Sequence, residues 1–578
     1  DDFTKILGAH TLKAGTQITR ARKNENTNVR DEGTVTFNAS ARNTTRNVVA
    51  DVLLGNFQSY VEPEADSFWW ARSSQYEFYV QDTWRASRRL TVEIGVRYNI
   101  IPSFTNAQGN ASTFLPRLFN RANAPQVDPS TGALLPGGDP YNGIAIFGSA
   151  FPDAARGRIP EYDDPAVQRL FLGLPATGSK TNYNDWGPRL GIAYDVFGNG
   201  KTAIRSGFGI FYDRVGSNQL RGQAQNPPFI KTANIFDGNI DNPAGGTARG
   251  FPTDVQAWPE ILPTPKVVTY NFGVQQELPA AIILDVSYVG NIARHFVFTR
   301  DLNQLPEGTR LNAPNSSINV NALRPFPGYG AINLRDASDN SNYNSLQVAV
   351  NRRMSQRLAF GLSYTFSKTM DTVGGATPQD SYAPKNDIAL SSIHRAHILS
   401  VNYIYMLPFF LQNGNPLLRH VLGGWEISGV TSAQSGAPVS VTVPVDIARI
   451  GASSSRASVI GDPNLSADKR TPERWFNTEA FLPPERMTPG RFGNAGRNIL
   501  IGPGFQQWDV SLLKNFRFRE RLGLQFRAES FNLFNHTNFT GINTTVRLDN
   551  AGRPTAGYGA VNASGPGRVL SFGLKLLF

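Results

Sequence analysis

Cysteine is absent from the 578 residues of this sequence, and histidine occurs only 6 times. Without cysteine the chain can form neither a disulfide framework nor a thiolate metal site. Charged residues are also scarce, at 17% of the chain, whereas 54 Gly and 38 Pro are present. Such a composition favours a β-rich protein with long loops over a helical one.

Long apolar runs are missing as well. The longest candidates, residues 48–54 and 280–284, are far shorter than the ~18 apolar residues of a membrane-spanning helix. The chain begins Asp1-Asp2-Phe3 without a charged and apolar leader, and we therefore expect no signal peptide within it. The net charge of +11 comes from Lys and Arg residues that are scattered along the sequence. This scatter favours a solvated basic surface, facing anionic lipid headgroups, over a nucleic-acid partner.

What the sequence does contain is a repeated alternation of apolar and polar residues, the pattern of a strand with one face in each environment. In residues 570–578 the apolar face consists of Leu570, Phe572, Leu574, Leu576 and Phe578. About fourteen such segments recur, each near the ~9–11 residues that a tilted strand needs to cross a bilayer. They span residues 12–20, 76–84, 90–98, 190–196, 204–212, 268–278, 282–288, 346–350, 358–367, 397–407, 425–433, 508–516, 522–529 and 570–578.

The connections between these segments alternate between short and long. Short connections cover residues 85–89, 197–201, 278–281, 352–357 and 517–521, and a somewhat longer one covers 408–424. Long connections, rich in Pro, Gly and Asn, cover residues 102–183, 214–266, 291–342, 369–393, 435–507 and 535–567. This rhythm predicts a transmembrane antiparallel β-barrel, whose short turns face the periplasm and whose long loops are extracellular. We place the weakly alternating residues 34–37 inside a first external loop, 23–74, because a further spanning strand would break the rhythm.

Aromatic residues mark the ends of the predicted strands, where Tyr and Trp rings favour the headgroup level of a membrane. We expect an aromatic girdle made of Trp84 and Trp425 near short turns, and of Tyr98, Trp186, Tyr212, Tyr288 and Trp508 toward long loops. On the opposite face, charge needs water or a partner group. There we expect the following residues to face the lumen: Glu93, Arg97, Arg205, Asp285, Arg527, Glu529 and Lys575. The alternative is a soluble sheet, with these aromatics as its core and these charges on its solvated outer face.

Catalytic and metal-binding patterns are weak in this sequence. His394 and His397 are the only close histidine pair, but a spacing of three places them on opposite faces of a strand. Asp237, Asn239 and Asp241 begin like a calcium loop, which then lacks Gly at its sixth position and Glu at its twelfth. We therefore expect no catalytic residue, no metal site and no cofactor.

Several segments resemble the barrel strands of TonB-dependent outer-membrane receptors. They are residues 77–84 (EFYVQDTW), 89–98 (RLTVEIGVRY), 186–194 (WGPRLGIAY), 362–368 (LSYTFSK) and 526–535 (FRAESFNLFN). Residues 50–55 (ADVLLG), 394–397 (HRAH) and 424–429 (GWEISG) complete a pattern similar to that of the Oar-like subgroup, whose members bear a carboxypeptidase regulatory domain. The resemblance covers essentially the whole chain.

The resemblance implies a barrel of about 22 strands with a plug in its lumen, and a segment before the plug that contacts TonB. Because the sequence has fewer strands and no recognisable plug, we expect residues 1–578 to be one barrel domain, the carboxy-terminal portion of a larger receptor. The implied location is the bacterial outer membrane, which the barrel crosses many times. The final strand is implied to carry the signal read by the barrel-assembly machinery, through Phe572, Leu574, Leu576 and Phe578.

The function that the resemblance implies is TonB-dependent, energy-coupled uptake of a large or scarce nutrient, such as a siderophore, an oligosaccharide or a peptide. The implied partners are outer-membrane lipid and lipopolysaccharide, the TonB system, the plug, the barrel-assembly machinery and a ligand of unknown identity. The alternative is an extracellular β-rich adhesion or binding protein without transport activity. A barrel enzyme such as a protease or phospholipase is disfavoured, because the few histidines are scattered. The aromatic-rich residues 57–70 either form a ligand platform or pack the loops on one another.

Overall fold

The computed structural model describes residues 1–578 apart from 27–32, 40–41, 64–67, 231, 413, 520–521 and 550–552. Its main feature is a sheet of 18 strands. Three of these are short loop segments, Thr105–Asn106, Thr253–Ala257 and Ala389–Leu390. The others are β1 (Asp2–Leu7), β2 (His10–Asn26), β3 (Phe68–Trp84), β4 (Leu90–Ile100), β5 (Asp185–Asp195), β6 (Thr202–Tyr212), β7 (Lys266–Leu278), β8 (Ile282–Asp301), β9 (Tyr329–Ser355), β10 (Leu358–Asp371), β11 (His397–Met406), β12 (Trp425–Gln434), β13 (Phe505–Arg519), β14 (Leu522–Phe531) and β15 (Val569–Leu577).

Each of these strands is antiparallel to the one before it, so the sheet is a continuous meander from β1 to β15. The strands predicted from sequence coincide one by one with β2–β15. In the described part of the chain no pairing joins β1 to β15, and the sheet is therefore open. The predicted fold class, an all-β antiparallel sheet of the barrel type, is confirmed.

The connections between successive strands alternate in length, as predicted. Short connections join the strands at one edge of the sheet and cover residues 8–9, 85–89, 196–201, 279–281, 356–357 and 407–424, and the paired ends of β13 and β14 lie at the same edge. Long connections join them at the other edge and cover residues 27–67, 101–184, 213–265, 302–328, 372–396, 435–504 and 532–568. We call the first edge the short-turn rim and the second the long-loop rim.

Two predicted loops are shorter in the structure than in the sequence prediction. Strands β8 and β9 run on beyond their predicted ends, which leaves residues 302–328 as the loop in place of 291–342. Strands β2 and β3 likewise leave 27–67 in place of 23–74. Cross-strand pairing satisfies the backbone groups of these extensions, and Thr253–Ala257 adds a parallel partner to β9. These partners are distant in sequence, so local alternation did not reveal the extensions.

Small elements occupy the connections. The strands Thr34–Thr36, Asn56–Pro63, Thr232–Asn239 and Thr247–Ala248 form one sheet, and Ser112–Phe114, Ile144–Phe147 and Phe171–Leu174 form another. Three two-stranded sheets pair Pro438–Val439 with Leu500–Ile501, Thr442–Val443 with Ser455–Arg456, and Phe539–Ile542 with Val561–Ser564. Thr34–Thr36 thus lies in the first long loop, where the sequence rhythm placed it.

The helices are short. They are α1 (Val48–Leu54), α2 (Pro165–Gln168), α3 (Val320–Leu323) and α4 (Pro416–Leu422). Single turns of 3-10 helix cover Pro116–Leu118, Arg121–Asn123, Asp153–Ala155, Ser217–Gln219, Arg221–Gln225, Pro243–Gly245, Pro384–Asp387, Ala467–Lys469, Thr478–Ala480 and Pro484–Arg486. Within the described residues, no helix has the length and apolar character that a membrane crossing by a helix requires.

The buried core lies in the long loops and in the strand ends next to them. One cluster contains Trp69, Phe104, Phe147, Leu220 and Trp258. A second contains Phe114, Ile146, Phe151, Phe229 and Tyr329. A third contains Val443, Phe476, Phe481, Met487 and Tyr558. We call this packed set of loops the loop canopy.

The strands themselves leave one apolar face uncovered. The side chains of Ile94, Phe272 and Phe572 are 59%, 53% and 71% exposed. A soluble sheet would bury such a face against a second layer of secondary structure. An outer-membrane barrel instead presents this face to lipid, and the uncovered face therefore favours the barrel over the soluble alternative.

Candidate functional site

Cross-strand register sorts the side chains of the sheet onto two faces. Side chains alternate along each strand, and directly paired residues share a face. Following the paired residues from strand to strand places Trp84, Ile192, Phe272, Leu346 and Leu570 on the same face of the sheet. We call the face that these residues define the apolar face, and the opposite one the polar face.

The aromatics predicted for a girdle all lie on the apolar face. They are Trp84, Tyr98, Trp186, Tyr212, Tyr288, Trp425 and Trp508. Trp84 and Trp425 end and begin their strands at the short-turn rim. At the long-loop rim the rings of Tyr98 and Trp186 lie 4.4 Å apart, centroid to centroid. Tyr288 differs, because β8 continues well beyond it. A membrane-girdle role for these residues stays a prediction.

The last strand contributes to the same face. Phe572, Leu574 and Leu576 pair across to β14 on the apolar face. Phe578 follows the end of β15 and is 97% exposed. Their predicted role as an assembly signal is not decided by this placement and stays a prediction.

The charged residues predicted to face the lumen all lie on the polar face. They are Glu93, Arg97, Arg205, Asp285, Arg527, Glu529 and Lys575. Register thus places on one face residues that are up to several hundred positions apart in sequence. The sorting by face agrees with the sequence prediction. That this face lines a lumen stays a prediction.

Arg97 is the centre of one polar cluster. Its guanidinium forms an ion pair with Glu77 and donates from Nη2 to Gln17 Oε1 at 3.0 Å. The same group lies 5.8 Å from the centroid of the Tyr79 ring. Three adjacent strands, β2, β3 and β4, supply these side chains. The cluster shows that charge on this face is paired across strands and kept near solvent.

Two cavities continue the polar face along the sheet. Arg205 and Asp285 line one of about 190 Å³, in which Ser287 Oγ donates to Asp285 Oδ1 at 3.0 Å. Glu93 and Arg189 line the other, of about 320 Å³. Because charged and hydrogen-bonding groups line both, they suit water and polar solutes.

A second polar cluster lies on β13 and β14. Arg527 Nη1 lies 3.5 Å from Glu529 Oε1, and Ser511 Oγ donates to the same carboxylate oxygen at 3.4 Å. Gln507 Nε2 donates to both Asp509 carboxylate oxygens at 2.9 Å. Lys575 on β15 is exposed near this cluster. The polar face therefore carries both signs of charge along its length.

The aromatic residues of 57–70 differ in burial. Phe57 and Trp69 are completely buried, and Trp69 belongs to the first buried cluster of the canopy. The Arg158 guanidinium lies 5.2 Å from the centroid of the Trp70 ring. Phe57 and Trp69 therefore pack inside the protein, whereas Tyr60, Phe68 and Trp70 are half-buried.

Ion pairs between loops are the main feature that the sequence did not reveal. Arg456 in the loop after β12 pairs with Asp387 in the loop after β10, and Arg497 pairs with Asp371 at the end of β10. All four side chains are largely buried. No local motif marks them, since the two partners of each pair are distant in sequence.

A further pair joins the loop after β4 to the loop after β6 and is partly exposed. Arg117 donates to the two carboxylate oxygens of Glu260 from Nε at 2.9 Å and from Nη2 at 2.6 Å. This hydrogen bonding lowers the pKa of Glu260 from its ordinary value. The bidentate geometry is the strong form of an Arg–carboxylate contact and fixes the two loops at this point.

The two neighbouring histidines have different surroundings, and only His397 belongs to a strand. His394 is buried at the long-loop rim, where its Nδ1 accepts from the Thr369 amide at 3.3 Å. His397 begins β11, and its Nδ1 lies 2.8 Å from the Tyr364 hydroxyl. Among the described residues, no three His, Asp or Glu side chains converge as a metal site would need. Asp237 and Asn239, from the calcium-like stretch, bond to Arg42 and Leu54 instead.

Comparison with known families defines the class of this protein. A family model described as "Outer membrane beta barrel domain" matches residues 1–570. The chain therefore belongs to the outer-membrane β-barrel domain family, and its place is the bacterial outer membrane. The predicted location and the recognised barrel resemblance are thereby confirmed at this level.

Solved structures give weaker likenesses. The outer membrane transporter YddB from Escherichia coli matches at 10% identity and a TM-score of 0.47, over 100% of this chain and 52% of that one. The siderophore receptor PirA from Acinetobacter baumannii matches at 10% identity and 0.43, over 100% and 53%. The ferripyoverdine receptor of the outer membrane of Pseudomonas aeruginosa matches at 10% identity and 0.41, over 99% and 46%.

The chain thus spans about half the length of these solved structures. They are named as a transporter and as receptors. No curated protein sequence matches the chain.

Proposed function

We propose that this chain forms the barrel wall of a TonB-dependent outer-membrane receptor, which imports a large or scarce nutrient such as a siderophore, an oligosaccharide or a peptide. The observation that carries the proposal is the separation of the two faces. All the charged residues predicted for the lumen share the polar face, while the girdle aromatics share the apolar face. A wall of this kind separates a wet passage from lipid.

In this proposal the long loops act as the capture surface for the ligand. Their buried clusters and inter-loop ion pairs support a preorganised canopy in place of a set of independent flexible loops. Preorganisation favours binding because less chain entropy is lost when the ligand docks. Residues 1–578 are treated as a single barrel domain that works with a plug and with the TonB system, and whose last strand is read by the barrel-assembly machinery.

The alternative is an adhesion or binding protein without transport. A polar inner wall fits both functions, because the interior of an outer-membrane barrel is polar in general. The two functions differ in whether a bound ligand enters the cell.

Uptake assays separate the two functions. Cells that express the full receptor are offered radiolabelled ferric siderophores, oligosaccharides and peptides, with and without a functional TonB gene. We expect at least one ligand to accumulate inside the cells only when TonB is present, while surface binding persists without it. Surface binding that never leads to TonB-dependent accumulation would favour adhesion.

A further inference from the structure

One lysine occupies a position on the apolar face where lipid is expected. Lys514 pairs across the sheet with Trp425 on one side and Phe526 on the other, and Phe526 pairs with Leu574. A charged side chain that faces lipid is destabilising by an amount that grows with depth in the bilayer. Yet Lys514 is only 3% exposed, so something other than lipid covers it.

The cover is the connection between β11 and β12, the longest at the short-turn rim. We call its described residues, 407–412 and 414–424, the rim segment. The Lys514 ammonium donates to the Gly423 carbonyl of this segment. It also lies 5.6 Å from the Trp425 ring centroid and 5.1 Å from that of Phe516, within the range of cation–π attraction. The charge is therefore held inside a protein-made cage on the outside of the sheet.

Helix α4 forms the outer layer of this cage. Asn415 caps it by accepting from the Leu417 and Leu418 amides at 2.9 and 3.4 Å, and Pro416 follows at the first helical position, where its missing amide is harmless. The Trp425 indole donates to the Val421 carbonyl at 3.2 Å. These bonds fix the helix on the apolar face, beside Lys514.

The two sides of α4 differ sharply in chemistry. At about 100° per residue, its large apolar side chains fall within one arc of about 140°. They are Leu417, Leu418, Val421 and Leu422, which are 69%, 39%, 45% and 42% exposed. Arg419 and His420 occupy the other side, and the His420 ring lies 5.9 Å from that of Phe516 on the wall. His420 therefore lies toward the wall, whereas the apolar side chains of α4, and Arg419, are exposed.

We propose that the rim segment is a membrane-embedded anchor, whose α4 helix lies in the periplasmic leaflet with its apolar arc against phospholipid acyl chains. Val421 accepts from the Trp425 indole, whose ring lies 6.0 Å from that of Phe526, and Phe526 pairs with the exposed Leu574. The helix therefore adjoins the apolar face of the sheet, and this continuity identifies lipid as the occupant. Arg419 supplies a cation at headgroup level, as in helices that lie in a membrane interface. The anchor has a second task, which is to shield Lys514 from lipid. The inference rests on the outer-membrane location and not on transport.

Labelling tests the position of the helix, because the chain contains no native cysteine. Leu417→Cys is made in the full chain, folded into phospholipid vesicles and coupled to a fluorophore. Phe272→Cys, on the apolar face of β7, serves as the lipid-facing control, and Asn199→Cys, in an exposed short turn, as the aqueous control at the same rim. Heat-modifiable electrophoretic mobility confirms that each variant is folded.

Quenching by a lipid-attached nitroxide and by aqueous iodide then places each label. We expect the label at position 417 to lose fluorescence to the nitroxide, as at 272, and to resist iodide, unlike the label at 199. Quenching by iodide would overturn the proposal, because the helix would then lie in water. Resistance to both quenchers would also overturn it, because a protein surface such as a second copy would then cover the helix.

A double-mutant cycle tests the shielding of Lys514. Residues 408–423 are replaced by a short Gly-Asn-Gly turn, in the native background and in a Lys514→Met background. If the segment shields the lysine, the replacement lowers folding yield in vesicles markedly in the native background and much less with Lys514→Met. Equal losses in the two backgrounds would overturn the shielding.

Discussion

The Nη2 atom of Arg456 lies 2.6 Å from Oδ1 of Asp387, and this contact joins the loop after β12 to the loop after β10. Gln379 supports both partners, since its amide donates to Asp387 Oδ2 at 3.0 Å and its side-chain oxygen accepts from the Arg456 amide at 2.9 Å. The side chains of Arg456 and Asp387 are 13% and 4% exposed. The two loops are therefore coupled through a buried charge.

Removing one partner of this pair should open both loops. With Arg456→Met, Asp387 is left as an unpaired buried carboxylate, which typically costs about 3–5 kcal/mol. Hydrogen exchange of loop amides measures the change in the free energy of local opening. The double variant Arg456→Met/Asp387→Leu should recover most of the loss, because no buried charge remains.

An exposed pair in the same loop provides the control. Arg474 and Glu479 are 3.2 Å apart but 45% and 76% exposed, and such pairs contribute about 0–1 kcal/mol. Arg474→Met should therefore leave the exchange rates nearly unchanged. A similar effect of Arg456→Met and Arg474→Met would contradict the proposed coupling of the loops.

Charge on the apolar face should be far more costly than charge on the polar face. Leu362 lies on the apolar face of β10, and Ser363 lies next to it on the polar face. Leu362→Arg should lower the free energy of unfolding in lipid vesicles by about 2–4 kcal/mol if the site meets mid-bilayer lipid. Ser363→Arg should cost much less, since water reaches that face. Urea titration in vesicles measures both, and equal costs would argue against a membrane barrel.

The polar face should be open to water in the folded protein. Single cysteines at Arg205 and at Phe272 place a thiol on the polar and on the apolar face of neighbouring strands. In vesicles, Arg205→Cys should react readily with a membrane-impermeant thiol reagent, whereas Phe272→Cys should be protected by lipid. Mass spectrometry follows both reactions. Protection at position 205 would mean that the polar face is sealed.

Acid should loosen the long-loop rim at His394. Burial lowers the pKa of His394, and the nearby charges of Arg395 and Lys368 act in the same direction. As the pH falls below the unfolded value of about 6.5, the open form takes up a proton before the folded form does. The free energy that holds the rim closed therefore falls progressively from that pH down to the lowered pKa of His394 in the folded protein. The contact of His394 with the Thr369 amide is lost when the rim opens.

Hydrogen exchange at the Thr369 amide measures this effect. Its protection should fall on acidification in the native chain but stay constant in His394→Asn, in which no group titrates at this position. Comparison of the two variants at each pH removes the intrinsic pH dependence of exchange. Equal pH dependence in both would rule out His394 as the cause.

Much of the sheet was determined by the sequence alone. Alternation with a period of two is a local property, and it predicted strands β2–β15 and the faces of residues such as Arg97 and Phe572. The lengths of the connections are also local, and they predicted which ends of the strands share a rim. In a barrel each strand meets lipid on one side and water on the other, so each one carries its own pattern in its sequence.

Only the tertiary structure decided the rest, because it depends on contacts between distant parts of the chain. The sequence of β13 gives no sign that Lys514 is covered, since the cover comes from a segment about ninety residues away (Gly423 to Lys514). The sequence rhythm predicted residues 408–424 only as a connection, and both helix α4 within it and the docking of that helix on the wall came from the structure. The Arg456–Asp387 contact joins two loops, and the extensions of β8 and β9 pair with each other and with Thr253–Ala257. Both features need partners that are distant in sequence. Pairing, burial and charge compensation across loops are properties of the folded chain, and no local pattern encodes them.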